Sequence, residues 1–296
     1  MGKPIIALMY DFDKTLALSD MQNFTFIPKL GYTPEEFWKY TEEFCKKYNM
    51  DKILGYLYVM IDLAKQKGIK ITHEFLNECG KQIKFFDGLT TWFSRINEYA
   101  QSKGLIAEHY LITSGNKEIV EGTSIFKEFK QVFGCEYLYD NDGNAFWPRT
   151  NINYTTKTQY IFRISKGVFD TYDDKSVNEK TPKRRIIYQN MLYIGDGLTD
   201  VPCMILVKEN AGTSIAVYPK GQQEKVAHLF EDGRVNYICK ADYSANSELE
   251  KVVKLVIDGI SIRETLESKR EKTEKSLWFS CSFFWPVLLQ EWAHLL

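Results

Sequence analysis

The chain has 296 residues, 44% of them hydrophobic, which is a length for about two domains and leaves ample apolar material for buried cores. Its 38 basic and 39 acidic residues leave a net charge of −1, so no global field draws it to nucleic acid or to an anionic membrane. Six cysteines, Cys45, Cys79, Cys135, Cys203, Cys239 and Cys281, lie far apart with no CxxC pair, which argues against a zinc site or a disulfide framework and for reduced, mostly buried thiols.

The first element is the run Ile5-Ile6-Ala7-Leu8-Met9-Tyr10. It is apolar on consecutive residues, as in a strand of a parallel sheet covered on both faces. The run is too short and too soon charged for a secretory signal, and Ile6 stands where a myristoylation signal needs Ser or Thr, so a cytoplasmic protein is expected. Asp11-Phe12-Asp13-Lys14-Thr15 follows at once. Parallel sheets bind ligands beyond the carboxyl ends of their strands. If the chain is still extended there, Asp11 and Asp13 point the same way and could share one phosphate or one metal ion. Two carboxylates that close repel, and the remedy is a bound cation or a shared proton. Taken alone, the pentapeptide is equally a strand running into a solvated turn.

From about residue 33 to 86 the pattern turns helical. Thr33-Pro34-Glu35-Glu36 is a helix start, with a capping hydroxyl, a first-turn Pro and early acids. Phe37, Trp38, Tyr40, Phe44 and Tyr48 recur at helical spacing and read as the insertion's own core rather than as a substrate cage. A second helix is expected over 50–67, ending near Gly68, and a third over 72–84 with Thr72 as its cap. After Phe86-Asp87-Gly88-Leu89, helix and strand alternate again. The spacing predicts a helix over 92–103, a strand over 110–112 running into Thr113-Ser114-Gly115-Asn116, a helix over 119–129 and a strand over 135–139. A hairpin turn at Asn141-Asp142-Gly143-Asn144 and a helix opened by Thr155-Thr156-Lys157 through about 164 come next. Lys183-Arg184-Arg185 reads as a solvated strand entrance, not as a nucleic-acid surface. Strand 191–194 then leads into Gly195-Asp196-Gly197-Leu198-Thr199-Asp200, followed by a helix over 201–207, strands over 213–218 and 235–239, and a closing helix over 247–260. This alternation predicts an α/β fold with a doubly wound parallel sheet.

The carboxyl-terminal part departs from that pattern. Residues 264–276 are densely charged and 277–296 apolar and aromatic, with Trp278, Trp285 and Trp292 seven apart. Pro286 predicts a break in any helix there, and Glu291 charges its far end. The apolar run 277–289 falls short of the ~20 residues that span a bilayer. Contact with a membrane surface, self-association, docking on the body and a non-native tail remain as readings.

Three apolar strands thus end in polar residues that could act together: Asp11 and Asp13; Thr113 and Ser114; Asp196 and Asp200. If the strands are neighbours, these ends converge, and one lysine added to them can bind and attack a phosphoryl group. One carboxylate can attack phosphorus while a second acid protonates the leaving oxygen. A divalent cation between carboxylates and phosphate lets an anionic nucleophile approach an anionic substrate.

Over about residues 4–260 the chain resembles a haloacid dehalogenase superfamily phosphatase. Asp11-Phe12-Asp13-Lys14-Thr15 meets that family's DxDxT motif, Ser114 its second motif, and Gly195 to Asp200 its GDGxxD motif. The resemblance implies a Rossmann-like core in which Asp11 is the nucleophile, forming an aspartyl-phosphate, and Asp13 the general acid and then base. It implies Mg²⁺ held by Asp11, Asp196 and the backbone carbonyl of Asp13, with Asp200 acting mainly from behind them. Thr15 fits the phosphatase branch, and Thr15, Thr113 and Gly115 are expected around the substrate. The third-motif lysine has five candidates, Lys157, Lys166, Lys175, Lys180 and Lys183. Lys157 is chosen because it stands at a helix amino terminus, where backbone N–H groups and an ammonium could face one phosphate together.

The division expected is a core of residues 1–16 and 87–262, a helical cap of 17–86 similar to that of the phosphoserine phosphatase-like branch, and a tail of 263–296. The first Arg of the chain is Arg95, so the cap lacks the Arg with which phosphoserine enzymes grip the substrate carboxylate, and only lysines or Arg149 could compensate. Asp20 stands where that branch often carries a Glu facing the substrate amine, and reads as a substrate contact, a hinge or a helix cap. The expected function is Mg²⁺-dependent hydrolysis of a small phosphorylated metabolite, with no nucleic-acid partner and an open oligomeric state. Phosphotransfer to an acceptor other than water and non-catalytic phospholigand sensing are the alternatives.

Overall fold

A computed structural model of the chain describes residues 2–180 and 184–292, with 278–292 described by their backbone alone. Its centre is a seven-stranded sheet of β1 Ile5–Tyr10, β2 Ile106–Asn116, β3 Gln131–Tyr139, β4 Ala145–Thr150, β5 Met191–Gly195, β6 Thr213–Tyr218 and β7 Tyr237–Lys240. The spatial order is β4-β3-β2-β1-β5-β6-β7, with β4 antiparallel to β3 and the other neighbours parallel. Residues 6–10 are wholly buried, which is why their sequence is apolar on both faces. The chain winds away from β1 in both directions, to β2 on one side and β5 on the other. The switch point of the sheet therefore lies where Asp11 emerges. Tyr10 is level with Leu111 and with Ile194, and the Asp11 amide still donates to the Ile194 carbonyl at 2.9 Å.

The helices are α1 Met21–Phe24, α2 Phe26–Lys29, α3 Pro34–Tyr48, α4 Lys52–Gln66, α5 His73–Gly80, α6 Leu89–Ser102, α7 Lys117–Glu121, α8 Thr156–Lys166, α9 Asp174–Asn178, α10 Val201–Glu209, α11 Glu224–Glu231 and α12 Glu248–Trp292. The first five form an insertion between β1 and α6. Its helix starts are fixed by side chains: Thr33 and Glu36 make a capping box, Asp51 accepts from the amides of Ile53 and Leu54, and Thr72 accepts from that of Phe75. The two linkers to the insertion pair with each other, Leu18 N to Lys84 O at 2.9 Å and Phe86 N to Leu16 O at 3.0 Å. Entry and exit are thus one short antiparallel ribbon.

Several elements differ from the sequence expectation. No helix runs over 119–129: α7 stops at Glu121, and only a 3₁₀ turn at Phe126–Glu128 follows. Gly122 packs so tightly on the backbone of α5 that a Cβ there would lie 1.9 Å from the Asn77 carbonyl oxygen. Arg184 and Arg185 are not a solvated strand entrance. Arg185 forks onto Glu108 at 2.6 and 2.8 Å, Arg184 lies over the rings of Phe162 and Tyr188, and the strand begins only at Met191. Lys183 lies outside the described residues.

The closing helix does not end near residue 260, nor does its backbone break at Pro286. The stretch beyond 260 is rich in helix-forming residues and carries pairs such as Arg270 with Glu267 and Glu274, while the fixed φ of proline is itself helical. The side chains of Trp278, Trp285 and Trp292 lie outside what is described, as does Cys281. Cys45, Cys79, Cys135, Cys203 and Cys239 are buried and free of disulfides. Among the described residues no helix is long and apolar enough to cross a membrane.

Candidate active site

Asp11 follows β1, Ser114 lies near the end of β2, and Asp196 follows β5. These are the three central strands, so their ends meet in one crevice. The insertion closes over it, and Asp11, Asp13, Ser114, Gly115 and Asp196 line the floor of a cavity of about 530 Å³.

Lys157 enters from the first turn of α8. Asn153 and Thr156 fix that turn, through Asn153 N to Thr156 Oγ1 at 2.6 Å and Thr156 N to Asn153 Oδ1 at 3.3 Å, whereas Thr155 makes no capping bond. The ammonium is wholly buried and donates to Asp11 Oδ1 at 2.6 Å and to Asp200 Oδ1 at 2.7 Å. The Tyr193 hydroxyl donates to the same Asp200 oxygen at 2.7 Å. Asp200 fits beneath the end of β5 because residue 195 is glycine, where a Cβ would lie 2.6 Å from Asp200 Oδ2. That Oδ2 is buried and has no hydrogen-bond partner. One ligand atom from each of Asp11, Asp196 and Asp200 lies within 4.8 Å of the others.

Crowding of like charges in a buried place sets the electrostatics. Burial, followed by the charge of Asp200, pushes the Asp11 carboxyl up to about 7 against the pull of Lys157. Burial and then Asp11 and Asp200 drive Asp196 well above the carboxylate range. Asp13 is driven up in the same way by burial, Asp20 and Asp11. For Lys157 burial works toward a lower value, but the Asp11 and Asp200 carboxylates outweigh it and hold the ammonium charged. The floor thus presents hard oxygen donors, one of them orphaned, with an excess of negative charge. A divalent cation fits such a set.

The other predicted residues divide. Asp13 Oδ1 accepts the Met21 amide of α1 at 2.8 Å, and a Cβ on Gly115 would lie 3.3 Å from Asp13 Oδ2 and 2.1 Å from the Met21 methyl. A larger residue at 115 would have to displace the end of the Met21 side chain. The Ser114 hydroxyl is buried without a partner, while its carbonyl accepts from the Tyr56 hydroxyl at 2.5 Å. Thr15 Oγ1 reaches Asp196 Oδ1 at 3.5 Å. Neither Thr15, which is wholly buried, nor Thr113, whose hydroxyl accepts the Gly115 amide at 2.9 Å, lines the cavity. Asp20 precedes α1 but makes no capping bond; it pairs with Lys14 at 2.8 Å. Arg149 pairs with Glu136 and does not line the cavity.

The family model for haloacid dehalogenase-like hydrolases matches residues 8–204. The chain belongs to that family. A protein of Borreliella burgdorferi (strain ATCC 35210 / DSM 4680 / CIP 102532 / B31), described as uncharacterized, is 26% identical over 274 residues, 83% of this chain and 94% of that one. The HAD family hydrolase t0658 of Salmonella enterica serovar Typhi superposes with a TM-score of 0.55 at 15% identity, over 83% of this chain and 73% of that one. A phosphoserine phosphatase in its apo form gives 0.53 at 15% identity, over 86% of this chain and 98% of that one. At such identities the likeness is one of fold, and the fold is that of the phosphoserine phosphatase-like branch of the haloacid dehalogenase superfamily.

Within this haloacid dehalogenase-like hydrolase, Trp38, Tyr56 and Tyr154 line the cavity although sequence reasoning passed them over or assigned them to the insertion's core. Phe37 meets that expectation and is wholly buried; Tyr40 and Tyr48 do not, being 39% and 55% exposed. Tyr193 was also missed. Its signal was a polar-tipped residue in the otherwise aliphatic run before Gly195, where a buried hydroxyl needs a partner.

Proposed function

We propose that the protein is a phosphatase that hydrolyses the phosphate monoester of a small molecule through an aspartyl-phosphate on Asp11, with Mg²⁺ as its metal. The observation that carries this reading is the buried Lys157 ammonium bridging Asp11 and Asp200 at the floor of a cavity that Asp13, Ser114 and Asp196 also line. Lys157 holds one oxygen of Asp11, which leaves the other to attack phosphorus as the ester P–O bond breaks. The departing oxygen takes a proton from Asp13, whose carboxyl is pushed up by burial and by the charges of Asp20 and Asp11. Water then attacks the same phosphorus and returns a proton to Asp13, freeing phosphate and the Asp11 carboxylate. The unpartnered Ser114 hydroxyl is free to bind a phosphoryl oxygen. Asp11, Asp196 and the backbone carbonyl of Asp13 would hold Mg²⁺ with Asp200 behind them, and the bound ion would offset the charge between carboxylates and phosphate. In this scheme residues 1–16 and 87–262 are the catalytic core and 17–86 a cap that excludes water.

The test is release of phosphate from a panel of phosphorylated metabolites with Mg²⁺. Asp11→Asn is expected to lower kcat by on the order of 10³-fold or more. Full hydrolysis by that variant, or activity that survives chelation of divalent metal, would end this reading.

A further inference from the structure

Beside the floor carboxylates, the cavity is walled by Trp38 and Thr41 of α3, Ile53 and Tyr56 of α4, and Tyr154 and Leu198 from the loops before α8 and α10. The polar tips of Trp38, Thr41 and Tyr56 are already hydrogen-bonded inside the protein. The Trp38 indole N–H donates to Asn23 Oδ1 at 2.9 Å, the Thr41 hydroxyl to the Phe37 carbonyl at 2.9 Å, and the Tyr56 hydroxyl to the Ser114 carbonyl at 2.5 Å. What these side chains offer a ligand is apolar and ring surface. Trp38 is also held in place, standing edge to face on Tyr56 with centroids 5.8 Å apart and on Phe37 at 5.1 Å.

The charges on this wall are matched in the same way. Asp20 pairs with Lys14 at 2.8 Å and Glu42 with Lys46 at 2.9 Å. Among the described residues no Arg lines the cavity, and Lys52, exposed at the first turn of α4, is the lining lysine that enters no ion pair. Besides Lys52, the hydroxyls of Tyr154 and Thr199 are lining groups without a partner on this side among the described residues, so a zwitterionic, polyhydroxy or second anionic leaving group would give up its water here for few polar contacts in return.

Resting on the phosphatase reading, we infer that the substrates are monoesters of a flat, uncharged, mainly apolar alcohol, of which benzyl phosphate is the simplest probe. Benzyl phosphate, glycerol 3-phosphate, phosphoserine and 3-phosphoglycerate are all alkyl esters, so kcat/KM across them with Mg²⁺ reads the wall rather than the chemistry of an aryl leaving group. Benzyl phosphate is expected to lead by about 10- to 100-fold. Trp38→Leu should remove most of that lead through KM. Should that variant fail to fold, Ile53→Asp puts a charge on the same wall and is expected to cut benzyl phosphate turnover selectively. Equal or better turnover of phosphoserine or 3-phosphoglycerate would overturn the inference.

A binding arm separates this inference from the reading beneath it. Benzylphosphonate, which has no ester oxygen to lose, is expected to bind the Mg²⁺-loaded protein at least tenfold more tightly than methylphosphonate by calorimetry. Such binding in a protein that hydrolyses no ester would uphold the wall and remove the phosphatase reading. Hydrolysis of all four esters at matched rates, with the two phosphonates bound equally, would do the reverse.

Discussion

At the floor of the cavity the carboxylates of Asp11, Asp13, Asp196 and Asp200 crowd together, two of them bridged by the buried Lys157, and one carboxylate oxygen and one hydroxyl are left without partners. On the insertion side of the same space, Lys14 with Asp20 and Lys46 with Glu42 balance charge against charge, and the polar tips of Trp38, Thr41 and Tyr56 are all satisfied. The floor hangs on the ends of three adjacent strands and two helix starts, whereas most of the wall is carried by helices of the insertion, joined to the core by the linker ribbon and by side-chain bonds such as that of Tyr56 to the Ser114 carbonyl. Unmatched negative charge persists only where a rigid frame holds it, and on the proposed reading it would hold the divalent cation that lets a phosphate anion approach. A matched, ring-lined wall does not react; it selects by what it cannot solvate. On the proposed reading, reaction and selection therefore reside in separable parts of one cavity.

The comparison breaks most visibly at Lys157. Lys157→Met leaves Asp11 and Asp200 buried together with no cation, and is expected to cost about 3–5 kcal/mol of stability in metal-free buffer, besides abolishing activity. Lys14→Met removes an exposed pair and is expected to cost below about 1 kcal/mol. Urea unfolding of the two variants beside the parent measures both. Equal midpoints for all three proteins would mean that the floor holds no more unbalanced charge than the wall.

Titration sharpens the same contrast. The folded value of Asp11, about 7, lies above its ordinary 3.8, so its contribution to stability is fully present below about 3.8 and is lost as pH rises through 7. His109 pulls the other way over part of this window, because burial lowers its pKa to about 3 and folding then favours its neutral form as pH rises. The informative quantity is therefore the difference between parent and Asp11→Asn. In metal-free buffer the parent is expected to lose stability relative to Asp11→Asn between pH 4 and 7. A divalent cation at a hundred times its Kd should return about 2.7 kcal/mol to the parent at pH 8. A difference that stays flat with pH would show that Asp11 is not held in the crowded setting described.

Tyr56 lies between the two regions, a wall residue whose hydroxyl holds the backbone at Ser114. Tyr56→Phe keeps the ring and removes that bond. Its expected cost is about 1 kcal/mol of stability and roughly a tenfold fall in kcat, with benzyl phosphate still preferred. A fall in the preference at unchanged kcat would put Tyr56 wholly on the selecting side.

The floor was legible in the sequence and the wall was not, for a physical reason. A strand end that must face a ligand is announced by an apolar run stopping at a carboxylate or hydroxyl, as at Asp11, Ser114 and Asp196, and the sheet brings such ends together once its order is right. Lys157 was legible because a helix start stood just before it, although Asn153 and Thr156 form that start and Thr155 does not. Trp38 and Tyr56 carried no comparable mark. An aromatic residue on a helix packs inward in either case, and whether its face meets another helix or a cavity depends on how the insertion sits on the core. The missing helix over 119–129 has the same origin: the contact of Gly122 with the Asn77 backbone is tertiary and leaves no trace in local periodicity.

The smallest expected effect on turnover is at Asp51, where wall and floor are stitched together. Its carboxylate caps α4 through the amides of Ile53 and Leu54 at 3.0 and 2.9 Å, and it also accepts from Asn151 Nδ2 at 3.4 Å and from Asn153 Nδ2 at 3.1 Å. Asn153 in turn fixes the start of the helix that carries Lys157. Asp51→Ala removes the cap and the stitch and is expected to cost about 1 kcal/mol, with a rise of a fewfold in KM. Asp51→Ser restores the cap but is too short for the stitch, so it should recover the stability and leave KM raised. Recovery of both by serine would mean that α4 needs only its cap, and that the wall keeps its place over the floor without this bond.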